Sequence, residues 1–577
     1  LKLPAQKWLK HLERHEERVF LVLTLVIGAL VGLVVVAFIV LTGRLGARMY
    51  PPDGAPWRRL VVPVLGSLFS GYLLYRYFPF ARGSGIPQTK AALFAREGRI
   101  RLRTVFGKFF CCSVSLASGI ALGREGPAVQ VGAGIASVLG RRLGLPPERV
   151  KALLPIGASA AVAAAFNTPI AGVLFALEEI MGDLNAPVLG SVVLSSATAW
   201  MVLHLLLGDE PLFHVPPYEL VHGAEFAVYA VLGVVGGLVS VLFVKLLLHL
   251  RAWFSRRPVR TRWVQPVAGG LAVGIMGWFV PQSLGIGYQY VGEALNGNMA
   301  FRAMALLLVL RILGTTLCYA SGNAGGIFGP SLFIGAMMGG TLGSIAHTLF
   351  PHYTATAGPY ALVGMGAAFA GIIRVPMTSV IMIFEVTRDY SIIVPLMISN
   401  LISFFISSRL QPEPIYEALS RQDGIHLPAG ETRARHGAIR VAHAMRSSFH
   451  PIRPEANISA ALDEIRAQGV HAWPVADAKK LLGMITTARL ESAASDGLQD
   501  KTVAEIMPSL PQSALNAENF PHVHIDHSLD LALQRMGDAD LDVLPVVGRD
   551  NARELLGVIS LPDTLRAYGI GNSPNWP

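Results

Sequence analysis

Apolar and polar positions along this chain fall in long blocks. The first 18 residues are polar and carry Lys2, Lys7, Lys10, Arg14 and Arg18, and Val19–Thr42 then runs without a charge. That run is too long for the apolar part of a signal peptide, and no small-residue cleavage pattern follows it. It reads as a retained transmembrane helix with its basic start on the cytoplasmic side. Further apolar stretches lie near 60–80, 105–122, 150–181, 187–208, 224–249, 264–281, 303–320, 327–350, 358–372, 376–386 and 391–408. Several are short for a ~30 Å hydrocarbon core and are broken by Gly and Pro. Broken helices persist in a bilayer only where they are buried in protein or line a cavity. The pattern therefore predicts a transporter or channel rather than an anchor.

Composition agrees with a polytopic membrane protein carrying a soluble tail. Of 577 residues, 52% are apolar and only 15% charged, against roughly 25% charged in soluble proteins. Residues 1–420 hold 33 basic and 19 acidic side chains, a net +14, whereas 421–577 hold 15 basic and 19 acidic, a net −4. The overall excess of positive charge thus belongs to the membrane part, as loop Lys and Arg under the positive-inside bias. No tract of aromatics among basic residues favours nucleic acid. Fibrous, disordered and disulfide-scaffold classes are excluded. The three cysteines, Cys111, Cys112 and Cys318, lie in apolar stretches without metal-ligand spacing and read as small buried hydrophobes.

The membrane part repeats itself. Gly83-x-Gly85 and Ala92-Leu93 recur as Gly285-x-Gly287 and Ala294-Leu295; Pro127 and Gly132-Ala133 recur as Pro330 and Gly335-Ala336; Gly157, Pro169 and Glu178 recur as Gly364, Pro376 and Glu385. The offset drifts only from 202 to 207 residues. Duplicated halves with interrupted helices point to a binding site near the membrane midplane. The offsets alone leave open whether the halves are inverted.

Three Gly/Pro-rich breaks, Gly83-Ser84-Gly85-Ile86-Pro87, Gly123-Arg124-Glu125-Gly126-Pro127 and Gly326-Ile327-Phe328-Gly329-Pro330, each precede an apolar run. Glycine lets backbone approach a ligand, and proline suits the first helical turn. A helix N-terminus then presents unpaired N–H groups and a partial positive charge. Several such ends converging in a membrane would hold a small anion. Glu125, an ionisable group inside such a break, is functional by default, and its carboxylate competes with a halide for the same donors.

These three segments resemble the signature motifs of the CLC family of chloride channels and chloride/proton exchangers, in the same order and over roughly residues 20–420. The resemblance implies an all-α polytopic membrane domain with inverted-repeat architecture and broken helices. It also implies a homodimer with a pathway in each subunit, embedded in membrane lipid, with chloride and protons as substrates. Ser84 stands where the family's anion-holding serine does, as in its chloride-preferring members; Tyr416 resembles the tyrosine that closes the site from the inner side. The N–H groups of Ile327 and Phe328 are further donors. Glu125 resembles the external gate, and Glu179 the internal proton acceptor of exchangers. Glu178 is a secondary proton candidate or, as the repeat partner of Glu385, a structural residue at a helix end. The implied cycle admits chloride at Ser84 and Tyr416, protonates Glu125 from outside, and passes the proton toward Glu179 through transient water. Antiport is the expectation; the alternatives are a passive chloride channel, a membrane-anchored nucleotide sensor and a fluoride exporter. No enzyme pattern is present.

Beyond a polar linker at 421–436 the tail repeats as well. Val441-Ala442-x-x-Met445, Pro474-Val475 and Gly483-Met484-Ile485-Thr486 recur as Val503-Ala504-x-x-Met507, Pro545-Val546 and Gly557-Val558-Ile559-Ser560, with an insertion near 509–520 in the second copy. Each copy alternates β-rich and helical runs. The tail resembles a tandem pair of CBS domains, 437–500 and 501–570, behind a membrane domain at 19–420 whose halves span about 19–250 and 260–420. The resemblance implies that such an α/β pair can bind adenine nucleotide through a hydroxyl and a carboxylate, the alternative being a dimerising and gating-modulating module that binds none. Gly557, Ser560 and Asp563 keep that pattern, while the first copy has Arg489 in place of the acid. No cofactor is required for transport. His522-x-His524-x-x-His527 reads as a strand entering a helix rather than a metal site. The expected location is a bacterial inner membrane with the tail cytoplasmic.

Overall fold

The structure, a computed structural model, describes residues 16–184, 188–216, 218, 220–425, 439–478, 480–507, 520–525, 527–548, 551, 553–568 and 570. Residues 1–15 of the N-terminal segment, 426–436 of the linker and most of the 509–520 insertion fall outside these. The chain divides into two compact units, Leu1–Leu427 and Pro428–Pro577.

The first unit is helical among the described residues. Among the described residues, seven helical spans are long and apolar enough to cross a membrane, the first Val19–Met49 and the last beginning at Ile393. Pro266–Phe279, Ala357–Ile373 and Pro376–Thr387 are apolar but shorter. Large apolar side chains such as Leu205, Phe279 and Leu349 stand exposed on this unit, as a lipid-facing surface requires. Its centre is filled by Ala, Val and aromatic residues in one contiguous core.

Both halves are built on the same crossing. The helix Glu125–Arg142 packs on Pro147–Phe166, and Phe328–Leu349 packs on Ala357–Ile373. A Cβ on Gly132 would strike the Gly157 carbonyl, and one on Gly335 would strike that of Gly364. Such backbone contact explains why these glycines recur between the halves, since membrane helices associate closely through small residues. The apolar stretch 150–181 is interrupted at Asn167, whose left-handed backbone (φ 62°) ends one helix before Pro169 starts the next. Arg374 (φ 71°) and Pro376 do the same in the second half.

These breaks end in reciprocal caps. Glu178 accepts from the N–H of Thr378 (2.8 Å) and Met377 (3.3 Å) and from the Thr378 hydroxyl (2.7 Å), at the start of Pro376–Thr387. Glu385 accepts from Ile170 (2.9 Å) and Ala171 (2.6 Å), at the start of Pro169–Phe175. Each half thus supplies the carboxylate that satisfies the other half's exposed helix N-terminus.

The second unit contains two antiparallel strand pairs, β1 (Ala472–Asp477) with β2 (Lys480–Thr486) and β3 (Val543–Val547) with β4 (Leu555–Ser560). The register slips immediately after Val475 in one pair and after the repeat-equivalent Val546 in the other. Ile452 and Val523 add matching parallel bridges to Val475 and Val546. Asn457 and Ser528 cap the helices Ile458–Gln468 and Leu529–Ala539 with their side-chain oxygens. The second copy's histidine segment therefore does run from a strand-like bridge into a helix start. Burial lowers the pKa of His522, whose Nδ1 lies 2.8 Å from the Phe520 carbonyl.

Candidate functional site

The expected site residues lie on helix breaks in the first unit. Gly85, with φ at 108°, lies in a backbone region that residues with a Cβ rarely adopt. It turns the chain into the helix Ile86–Ala95, and its N–H donates to Gln88 Oε1 at 2.8 Å. Lys108, fully buried, donates to the carbonyls of Ala81 (3.0 Å) and Gly83 (2.5 Å) and fixes the same loop.

Within that loop Ser84 is fully buried and its Oγ has no hydrogen-bond partner. Its N–H donates to the Tyr319 hydroxyl at 3.3 Å. Tyr416, the second residue of the short helix Ile415–Gln422, neighbours Ser84, and its fully buried hydroxyl faces the Ser84 hydroxyl without completing a hydrogen bond of full geometry. Burying a hydroxyl without a partner is unfavourable by about 1–3 kcal/mol. Two buried hydroxyls that have only each other keep donor capacity for a bound acceptor.

The other two breaks meet head to head. Gly123 and Gly326, equivalent positions of the two halves, exchange N–H···O bonds of 2.8 Å each in an antiparallel bridge. This pairing brings the N-termini of Glu125–Arg142 and Phe328–Leu349 together. The N–H groups of Ile327 and Phe328 begin that second helix and have no intrahelical acceptor. Phe328 closes the surroundings with apolar rings, its centroid 4.9, 5.3 and 4.5 Å from those of Phe166, Phe175 and Phe369.

Glu125 is fully buried where these termini converge. One carboxylate oxygen accepts from the Gly329 N–H at 3.2 Å, and the other accepts from the Tyr288 hydroxyl. Arg124 Nε lies 3.9 Å from that second oxygen. The carboxylate is therefore seated on an N–H at the start of the second half's helix, where an inorganic anion would also be stabilised.

Glu179 lies in a π-helical turn, Ala176–Met181, that continues the helix from Pro169. It is buried and paired with Lys90 at 2.7 Å; Glu417 lies 3.7 Å from the same ammonium. Glu178, one residue earlier, has both oxygens committed to the cap on Pro376–Thr387. Sequence reasoning did not single out Lys90 or Tyr288. Both carried a signal: Lys90 is an ionisable residue inside the helix after the first motif, and Tyr288 directly follows the Gly285-x-Gly287 repeat.

Two cavities adjoin these residues. One of about 320 Å³, lined by Arg82, Gly83, Arg251, Arg262 and Tyr319, reaches the Ser84 loop. The other, of about 380 Å³, is lined by Tyr50, Arg58, Arg59 and Tyr288. In the second unit, Ser560 Oγ donates to Asp563 Oδ2 at 2.5 Å, and Arg446 contacts both carboxylate oxygens at 2.8 and 3.0 Å.

Duplicated halves, broken helices converging on a buried carboxylate, and buried hydroxyls beside them define a membrane transporter for a small anion. Residues 66–408 match the voltage gated chloride channel family, and 441–495 and 513–569 match the CBS domain. A ClcB-like protein of Ralstonia nicotianae, bearing the name of chloride channel, is 32% identical over 64% of this chain and 88% of its own. The solved structure of a slow cyanobacterial Cl⁻/H⁺ antiporter is 27% identical, with a TM-score of 0.65 over 70% of this chain and 97% of its own. A eukaryotic CLC transporter, 20% identical, matches in fold over 94% of this chain and 97% of its own with a TM-score of 0.60. The chain belongs to the CLC family and is a chloride transporter with a C-terminal pair of CBS domains.

Proposed function

We propose that this transporter is a chloride/proton antiporter. The observation that carries the reading is the seat of Glu125: a fully buried carboxylate held by a helix N-terminal N–H, in competition with any anion for that donor. In this cycle chloride is held by the hydroxyls of Ser84 and Tyr416 and by the N–H groups of Ile327 and Phe328. Glu125 vacates its seat on taking up a proton, and chloride passes. The proton then crosses to Glu179 over transient water. The protein works as a homodimer in a bacterial inner membrane with its CBS pair cytoplasmic. The pair modulates transport; an adenine nucleotide at Ser560 and Asp563 would have to take the carboxylate from Arg446.

A passive channel is the second reading, and one observation favours it. The Glu179 carboxylate is held by Lys90 at 2.7 Å, an ion pair that a proton arriving at Glu179 would have to break. Liposome flux separates the two. The antiporter takes up protons against their gradient when chloride runs down its own, and Glu125→Gln abolishes that uptake while chloride still flows. Proton uptake that persists in Glu125→Gln overturns the gate assignment, and none in the wild type overturns antiport.

A further inference from the structure

Tyr288 has no counterpart among the anion motifs, yet it makes the only side-chain hydroxyl contact to Glu125 among the described residues. It is the first residue of the helix Tyr288–Leu295, entered through Gly287 with φ at 82°. Two contacts hold its ring, and a third braces the turn before it. Phe213 meets it edge-on at 5.8 Å, the Arg124 guanidinium lies 5.7 Å above it, and the buried Arg311 braces the preceding turn by donating to the carbonyls of Gly285 and Ile286 at 2.6 and 2.5 Å. A Cβ at position 329 would sit 2.9 Å from both the Tyr288 hydroxyl and Glu125 Oε2. Gly329 therefore leaves room for the contact as well as supplying an N–H to it. The other side of Tyr288 lines the 380 Å³ cavity with Arg58, Arg59 and Tyr50.

The repeat explains why a hydroxyl stands here. In the first half Gly83-Ser84-Gly85 puts one in the middle of the turn. In the second the middle residue is Ile286, and the hydroxyl is displaced to Tyr288, beyond the second glycine. The duplicated turn thus offers one hydroxyl to the Ser84–Tyr416 end of the pathway and another to the Glu125 end.

We propose that Tyr288 is a positioning residue that latches ionised Glu125 in the anion pathway, so that releasing the gate requires breaking the Tyr288–Glu125 hydrogen bond. This rests on Glu125 being the gate. A hydroxyl donor stabilises the charged carboxylate and not the neutral acid that has left the seat. The other groups facing the carboxylate are the Gly329 N–H, Arg124, Arg311 and, through weaker electrostatics, Tyr416. None of these is altered by removing the Tyr288 hydroxyl alone.

The test is chloride flux against pH for the full chain in liposomes, with pH varied on the side of the Tyr288 cavity. Tyr288→Phe keeps the ring and its contacts and removes the latch. Loss of a hydrogen bond to a charged group is worth roughly tenfold or more, so the alkaline limb of the profile moves up by about one pH unit. In a Glu125→Gln background, which has no carboxylate to latch, Tyr288→Phe produces no further shift. A fluorinated tyrosine at 288, a stronger donor of nearly the same size, moves the limb to lower pH and serves if Tyr288→Phe does not reconstitute. An unshifted profile, or the same shift in both backgrounds, overturns the latch. If Glu125→Gln itself retains chloride-driven proton uptake, the gate reading fails. If it loses that uptake while Tyr288→Phe matches the wild type, only the latch fails.

Discussion

At the scale of single residues, the unusual feature is polarity left unsatisfied. Ser84 Oγ and Tyr416 OH are buried neighbours with only each other to pair with, which leaves donor capacity that folded proteins rarely bury unless a ligand takes it up. Removing one donor to a bound anion should weaken binding by about 1–2 kcal/mol, or roughly tenfold. Titration calorimetry on Ser84→Ala and Tyr416→Phe is expected to show that loss for chloride. Unfolding of either variant in chloride-free buffer should be close to that of the wild type, because neither hydroxyl makes a hydrogen bond of full geometry. Unchanged chloride affinity in both would show that the hydroxyls do not hold the anion. Lys90 poses the opposite case. Breaking a buried ion pair by removing one partner is destabilising by about 3–5 kcal/mol. Lys90→Met should therefore lower the midpoint of thermal unfolding in detergent, and adding Glu179→Gln should recover much of the loss. No recovery would mean that the pair seen at 2.7 Å is not what stabilises either group.

At the scale of elements, the organising device is the exchange of caps between halves. A carboxylate on two helix N-terminal donors is worth about 1–2 kcal/mol when partly buried. Glu178→Ala and Glu385→Ala should each lower stability by that amount and leave chloride-driven proton uptake measurable, since Glu178 has both oxygens on the opposite helix. Proton uptake abolished by Glu178→Ala at normal stability would return that residue to the proton route. This pairing also marks the limit of what the sequence shows. The repeat relates Glu178 to Glu385 at constant offset and indicates a structural pair, but it does not say that each carboxylate reaches the other half's helix. The Gly and Pro breaks are legible because backbone conformation and a missing N–H constrain those residue types locally. The helices Ile86–Ala95, Tyr288–Leu295 and Ile415–Gln422 are not legible from hydropathy. They are 8 to 10 residues long, too short to span a membrane and partly polar. They carry or adjoin Lys90, Tyr288 and Tyr416, so the contacts of these side chains emerge only when the halves fold together.

At the scale of the whole molecule, the division of charge at about residue 420 separates the transport unit from the CBS pair. The two CBS copies share strand register and bulge position, as their sequence repeat implies. The first copy's His443, His450 and His471 are exposed, whereas His522 of the second is buried, so a histidine-linked pH response is expected of the second copy. Burial lowers the pKa of His522, so folding favours the neutral ring. The associated stability is full above about pH 6.5, the unfolded value, and is lost as pH falls below it. Amide exchange at Val546 and Ile559 of the full chain should speed up, relative to intrinsic rates, on going from about pH 7.5 to about pH 5.5. His522→Gln should diminish that acceleration, and an undiminished response would assign the sensitivity to other groups.

The central claim, coupled exchange along a pathway gated by Glu125, is tested most directly by the reversal potential of the wild-type protein in liposomes under opposed chloride and pH gradients. Antiport predicts a reversal potential that moves whenever the pH gradient is changed at constant chloride. A reversal potential that stays at the chloride equilibrium value whatever the pH gradient would contradict it.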